Sequence, residues 1–218
     1  MNRLIENRRD FLKHATLSAA TVPLLIACKN ASIAQKQPSN LLELLRKNAR
    51  AAGTEGMGAI DVPDNVSWRY AFDIGKDDGE PMIISGTVYK ADGKTPARDV
   101  LIYFYHTDKF GIYGRAGQHK HGKYRGWMLT DADGRYEFTS IRPASYPNST
   151  QSQHVHMTVT TLDAREDSID EILFEGDRFL TQRERDGSGR RGGFTPIVTL
   201  KPNKDGILHA VRDIQLMS

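Results

Sequence analysis

The sequence predicts an all-β fold, a two-sheet antiparallel β-sandwich carrying one short N-terminal helix. Three observations predict it. From about Trp68 onward, short runs rich in β-branched and aromatic residues follow one another. Turn signals such as "ADGK", "DADG" and "NKDG" separate them. Only "LLELLRKNARAAG" repeats leucine at helical spacing before that pattern begins.

Residues 1–28 read as an export address and not as part of the fold. A basic stretch, "NRRDFLK", precedes an apolar run from Ala15 to Ala27 and a small residue before Cys28. "RRDFLK" resembles a twin-arginine motif, and "LIAC" resembles a lipobox whose cysteine would carry lipid. The apolar run is too short to span a bilayer. The expected location is therefore outside the cytoplasm, either periplasmic or attached to the membrane through a lipidated Cys28.

Residues 29–40 are small and polar and read as a linker. The domain proper spans 41–218. It starts with the leucine-rich helix, capped by Ser39 or Asn40 and stopped at Gly53. Then come "MIISGTVYK", "DVLIYFYHT", "RGWMLT", "RYEFTSI", "HVHMTVTTL", "FTPIVTLK" and "ILHAVRDIQL", about seven strands. Between them, "EDSIDEILFEGD" reads as a charged interruption with a helical turn, and "RERDGSGRRGG" as a flexible basic surface loop.

Composition narrows the function. The 218-residue chain is 39% hydrophobic and 26% charged, which suits a globular body large enough to bury a core. The formal net charge is +3, but Arg3, Arg8, Arg9 and Lys13 fall in the address segment against Glu6 and Asp10. The body is thus close to neutral, which argues against a nucleic-acid partner. Cys28 is the only cysteine, so a metal in the body must be held by His, Tyr or carboxylates.

The chemistry concentrates in "SYPNSTQSQHVHM". Residues two apart on a strand face the same side, so His154 and His156 point together and Val155 points away. Two imidazoles on one rigid strand suit a shared metal. Tyr146 precedes them between Pro143 and Pro147, which stiffen the segment, and Tyr113 follows Gly111 in "DKFGIYG". A trivalent metal would draw the proton off a ligating phenol as it does off bound water. The equally spaced His119 and His121 lie among Gly, Lys and Gln and read as loop or rim. His106 and His209 stand alone in sequence and read as structural.

From about Ile84 to Leu216 the chain resembles the intradiol ring-cleavage dioxygenases, through "GTVYKADGKTPARDVLIYFYHTDKFGIYG", "YRGWMLTDADGRYEFTSIRPASYP", "HVHMTV" and "LFEGD". That resemblance implies a non-haem Fe(III) cofactor held by Tyr113, Tyr146, His154 and His156. It also implies cleavage of a catechol-type aromatic diol with O2 to a muconate-type diacid, with Tyr146 as the ligand that substrate displaces. Gln151 and Glu171 stand where the resembled enzymes carry an arginine and a glutamine near the substrate, and are expected to alter the field over it. Arg115, Arg125 and the arginines of 183–191 are the available cations, though a surface role suits each. A homo-oligomer is an open expectation, since the helix could pack on the sandwich or pair with a second copy. Two other readings remain beside the enzyme: a non-catalytic metal-bearing binding module at the cell surface, and a purely structural sandwich.

Overall fold

The computed structural model describes residues 39–52, 58–75 and 78–217. The export segment, Cys28 and the linker up to residue 38 lie outside the described residues. In chain order the elements are α1 (Ser39–Ala52), a single 3-10 turn (Gly58–Asp61), β1 (Arg69–Ala71), β2 (Pro81–Tyr89), β3 (Leu101–Tyr105), β4 (Arg125–Leu129) and β5 (Arg135–Ile141). They continue with β6 (His154–Thr160), β7 (Asp167–Phe174), α2 (Gln182–Gly187), β8 (Ile197–Val198), β9 (Lys201–Pro202), β10 (Leu208–Val211) and β11 (Ile214–Gln215).

Two sheets form. One has the order β1-β5-β2-β10-β9 with β11 also pairing β2, and the other has the order β4-β3-β6-β7-β8. The long pairs β2–β5, β3–β4, β3–β6 and β6–β7 are antiparallel, as expected. The short strands β1, β8, β10 and β11 join parallel to their neighbours, so the edges are mixed.

Alternation builds the core. Ile102 and Phe104 of β3, Val155, Met157 and Val159 of β6, and Ile84 and Phe138 of the facing sheet are buried in one cluster. Phe104 stacks on Phe138 across the layers with centroids 4.0 Å apart, and burying each such ring contributes roughly 1.5–3 kcal/mol. The residues between them, Leu101, Tyr103 and Tyr105 on β3 and His154 and His156 on β6, belong to the opposite face. Part of that outer face is covered by α1, whose Leu42, Leu45 and Ala49 pack on Leu101 and Leu129. The helix thus packs on the sandwich, and His154 and His156 are presented beyond it at one end of the same sheet.

Several expectations need correction. "EDSIDEILFEGD" is not a helical interruption: it contains β7, which pairs β6. Between Val155 and Met157 the register slips, so that Val155 pairs Ile172 while Met157 pairs Ile169. The slip places Asp170 and Glu171 opposite the single residue His156, a β-bulge. It lets Ile169 and Ile172, three apart, both enter the core. "RERDGSGRRGG" is not wholly loop, because its start lies in α2. That turn is fixed by a reciprocal cap in which Glu184 N–H donates to Thr181 Oγ1 (3.2 Å) and Thr181 N–H donates to Glu184 Oε2 (2.7 Å). "FTPIVTLK" divides into β8 and β9, which pair with different sheets. Among the described residues no helix is long and apolar enough to cross a membrane.

Candidate metal centre

Two loops and one strand build the site. The loop from β3 to β4 carries Tyr113, the loop from β5 to β6 carries Tyr146, and β6 carries both histidines. The loops are fastened to each other. Thr107 Oγ1 donates to the Ala144 carbonyl (2.6 Å), and Ala144 N–H donates to that of Asp108 (3.2 Å). Asp108 Oδ1 accepts from the N–H groups of Phe110 and Ile112, closing the turn that precedes Tyr113. Gly111, at φ 79°, lets this turn approach Ser145 so closely that an added Cβ would lie 2.0 Å from the Ser145 carbonyl oxygen.

The result is a convergence of four polar atoms. Tyr113 Oη lies 2.7 Å from Tyr146 Oη, 2.7 Å from His156 Nε2 and 3.4 Å from His154 Nε2, while Tyr146 Oη is 3.0 Å from His154 Nε2. His154 is buried, and the other three are half-buried. Tyr113, Tyr146, His154 and His156, the four residues that the resemblance implies as ligands, are thus brought together.

The far side of each imidazole fixes its tautomer. His154 Nδ1 faces the Ser152 carbonyl (2.7 Å), which can only accept, so Nδ1 carries the proton and Nε2 presents a lone pair. His156 Nδ1 faces Glu171 Oε1 (2.7 Å), and an ionised carboxylate imposes the same result. Both Nε2 lone pairs are therefore aimed at the two phenol oxygens. The Ser152 turn is itself braced, because its hydroxyl donates to Glu184 Oε1 (2.8 Å) of α2.

Burial favours the neutral forms of both phenols and of His154. Burial pushes the Tyr113 phenol well above its usual range, and the hydrogen bond and field of Tyr146 push it further. Burial also raises Tyr146, although the bond from Tyr113 works the other way. Burial holds His154 below the usual histidine range. Glu171 is lowered: burial alone would raise it, but the hydrogen bond from His156 and the fields of both histidines outweigh that. A pair of oxygen and a pair of nitrogen donors converging on one point fits a hard trivalent cation, whose charge would favour the phenolates.

His154, His156 and Glu171 also offer donor atoms within 4.8 Å of one another. Glu171, however, reaches His156 at Nδ1, the nitrogen opposite to the one facing Tyr113, and so partners the imidazole instead of extending the four-atom cluster. Gln151 is exposed on the 147–153 loop, where its N–H donates to Ser149 Oγ (3.1 Å), and no hydrogen bond joins it to the four. Arg115 is exposed, Arg125 donates to the Gly122 carbonyl (2.5 Å), and Arg185 and Arg191 pair with Glu175 and Asp167.

Sequence reasoning missed several contributors. His121 is not rim: it is buried, its Nδ1 lies 2.7 Å from Tyr103 Oη, and its ring stacks on Tyr105 at 3.8 Å. Gly122, at φ 71°, folds the chain under the Tyr113 backbone and tucks His121 inward. Tyr105 in turn stacks on His156 at 4.5 Å, so the ligand-like imidazole is gripped from its face as well as its edge. Ser152 and Glu184 were missed as well, and "SxH" with a distant acid is no recognisable signal. His106 and His209 are structural as expected, bonded to Ser140 and Ser85.

A cavity of about 730 Å³ lies against Tyr146, walled by the 144–150 loop together with Arg142, Gln153 and Arg178. A larger one, about 930 Å³, opens near Val159 and Ile169 and is lined by none of the four.

Comparison with known proteins agrees with this architecture. The family model described as "Dioxygenase" matches residues 63–185. The protocatechuate 3,4-dioxygenase beta chain of Burkholderia cepacia is 28% identical over 152 residues, 64% of this chain and 63% of that relative. Catechol 1,2-dioxygenase 1 of Acinetobacter lwoffii is 32% identical over 139 residues, 55% of this chain and 43% of that relative. The match thus spans under two thirds of either relative's length. A mercury-inhibited catechol 1,2-dioxygenase from Acinetobacter sp. ADP1 superposes with a TM-score of 0.55 at 20% identity, covering 83% of this chain and 73% of that one.

Proposed function

The chain belongs to the intradiol ring-cleavage dioxygenase family, and on that premise we propose that it is an oxidoreductase cleaving a catechol-type aromatic diol with O2 at a non-haem Fe(III) held by Tyr113, Tyr146, His154 and His156. The observation that carries this reading is the meeting of a second phenol oxygen and two Nε2 lone pairs within 3.4 Å of Tyr113 Oη. Bound there, Fe(III) would supply a Lewis acid that binds the diol as its dianion and prepares the ring for O2.

The side chains divide the remaining work. Tyr146 is the phenol that borders the cavity, and its hydroxyl already exchanges hydrogen bonds with Tyr113 and His154. It is placed to leave the cluster and to take up a proton that the incoming diol gives away. Tyr113 sits deeper, held by the Asp108 turn, and stays. His154 and His156 cannot swing, because each is anchored at Nδ1. The cavity is of the size that takes a small aromatic ring. Gln151 is exposed, so any influence it has on the bound ring is exerted from the loop surface.

The test is metal content, visible absorption and O2 uptake on the protein loaded with Fe(III), beside Tyr146→Phe and His156→Ala. Near-stoichiometric iron, a broad visible band that shifts when catechol is added, and O2 consumption with a panel of catechols are expected. Colour without O2 uptake would support the metal-bearing binding module instead. No iron and no band would overturn the reading.

A further inference from the structure

We propose that Glu171 is a positioning residue that acts through His156 and sets the charge of the metal centre. The inference rests on the four-donor iron reading and deepens it by assigning a role to a carboxylate that touches none of the reacting groups. Three independent observations converge on it.

The first is backbone geometry. A regular antiparallel register would continue from the Val155–Ile172 pair to Met157–Asp170, but the observed partner of Met157 is Ile169. The extra residue puts Asp170 and Glu171 together opposite His156, and the two acids diverge. Asp170 Oδ2 accepts the N–H groups of Arg190 (2.8 Å) and Arg191 (3.2 Å), while Glu171 Oε1 meets His156 Nδ1 at 2.7 Å. A bulge re-aims a side chain, and this one aims Glu171 at the imidazole edge.

The second is asymmetry. The two histidines alternate on one strand and face one cluster, yet they are anchored differently. His154 gives its Nδ1 proton to a neutral carbonyl, and His156 gives its own to a carboxylate. A charged acceptor pulls harder on the Nδ1 proton, leaves the ring richer in electrons and makes Nε2 the stronger donor. The two imidazoles are therefore unequal ligands. With both phenols ionised, Glu171 also brings the negative charge around a ferric ion to three, matching the ion's own.

The third is rigidity. His156 is stacked on Tyr105 at 4.5 Å with 21° between the planes, and Tyr105 is stacked on His121 at 3.8 Å with 5°. The ring plane is thus fixed from a direction perpendicular to the Glu171 contact. Glu171 is half-exposed, with 38% of its side chain accessible, so water attenuates its field without removing the direct bond.

Glu171→Gln is the discriminating variant, because an amide oxygen can accept the same Nδ1 proton without the charge. If Glu171 only held the ring in place, this variant would match the wild type. The expected result on Fe(III)-loaded protein is a phenolate-to-iron absorption band displaced to longer wavelength, with iron largely retained. Glu171→Ala removes the bond altogether and should lower iron affinity about 10–100-fold. Coincident bands and equal iron affinities in wild type and Glu171→Gln would overturn the proposal. Ring-nitrogen NMR of the metal-free protein tests the same contact without iron: the His156 proton should reside on Nδ1 in the wild type, and a proton on Nε2 would overturn the proposal even if the iron site stands. A wild type with the His156 proton on Nδ1 but no iron uptake would instead overturn the iron reading, and with it the role assigned to Glu171.

Discussion

Tyr113 is the hub of the cluster, since its hydroxyl contacts each of the other three groups. Tyr113→Phe should therefore weaken iron retention more than Tyr146→Phe does, by at least the 10-fold that loss of an outer partner costs, and equilibrium dialysis of iron would measure it. A separate group, His106, contributes to acid sensitivity. It is fully buried between Ser140 and the Thr107 carbonyl, and burial lowers it to about 4 from an ordinary 6.5. The unfolded chain then binds the extra proton between those values, so this residue's contribution to stability is complete above pH 6.5, falls as pH drops toward 4 and is flat below. Urea unfolding across that window should show the decline, at most roughly 3 kcal/mol from this residue, and His106→Asn should make it shallower, the buried His121, also lowered to about 4, supplying part of the rest. The pairing of His154 and His156 could be read from the sequence because strand alternation is a local rule, while the two phenols joined them as ligands through the family resemblance. The partner of His156 could not, because its position depends on a register slip that neither strand announces alone.

The bulge in β7 explains why "EDSIDEILFEGD" looked helical. Ile169 and Ile172 are three apart, the spacing of a helix face, and both are buried only because the extra residue restores the inward direction. Local periodicity carried no information that could separate the two. Elements also hold the loops at the site. Gly111 and Ser145 touch where the Tyr113 and Tyr146 loops meet, so Gly111→Ala must both strain a positive φ and push the loops apart. It should depress iron content while leaving the far-ultraviolet circular dichroism of the sandwich unchanged. The cap of α2 reaches the site by another route, since Glu184 accepts from Thr181 with one oxygen and from Ser152 with the other. Thr181→Ala should cost about 1 kcal/mol locally and raise amide hydrogen exchange in residues 150–154 before any global change.

Over the molecule as a whole, the two-sheet sandwich and its single main helix followed from alternation, turn residues and one leucine repeat, while the pairing of the C-terminal strands did not. "ILHAVRDIQL" reads as one strand, but Arg212 divides it. Its guanidinium is buried and donates to the carbonyls of Gly192, Gly193, Phe194 and Asp213, tying the Gly-rich loop to the core. A buried arginine inside an apparent strand gives no sign in sequence of which carbonyls it will serve. Arg212→Met would strand those acceptors, and a loss of about 1–3 kcal/mol in urea unfolding is expected.

The division of that segment has a temporal consequence. β2 lies at the centre of its sheet, yet β10 and β11, which flank it, come late in the chain, and Thr87 N–H bonds the Asp213 carboxylate 126 residues away. During synthesis β2 can pair with β5 long before β10 exists. One side of the sheet therefore waits open on the ribosome, and closing it requires a loop of very high contact order, which is slow. The docking of residues 208–215 is then expected to come last, and a nascent chain halted before them would expose the unpaired edge of β2.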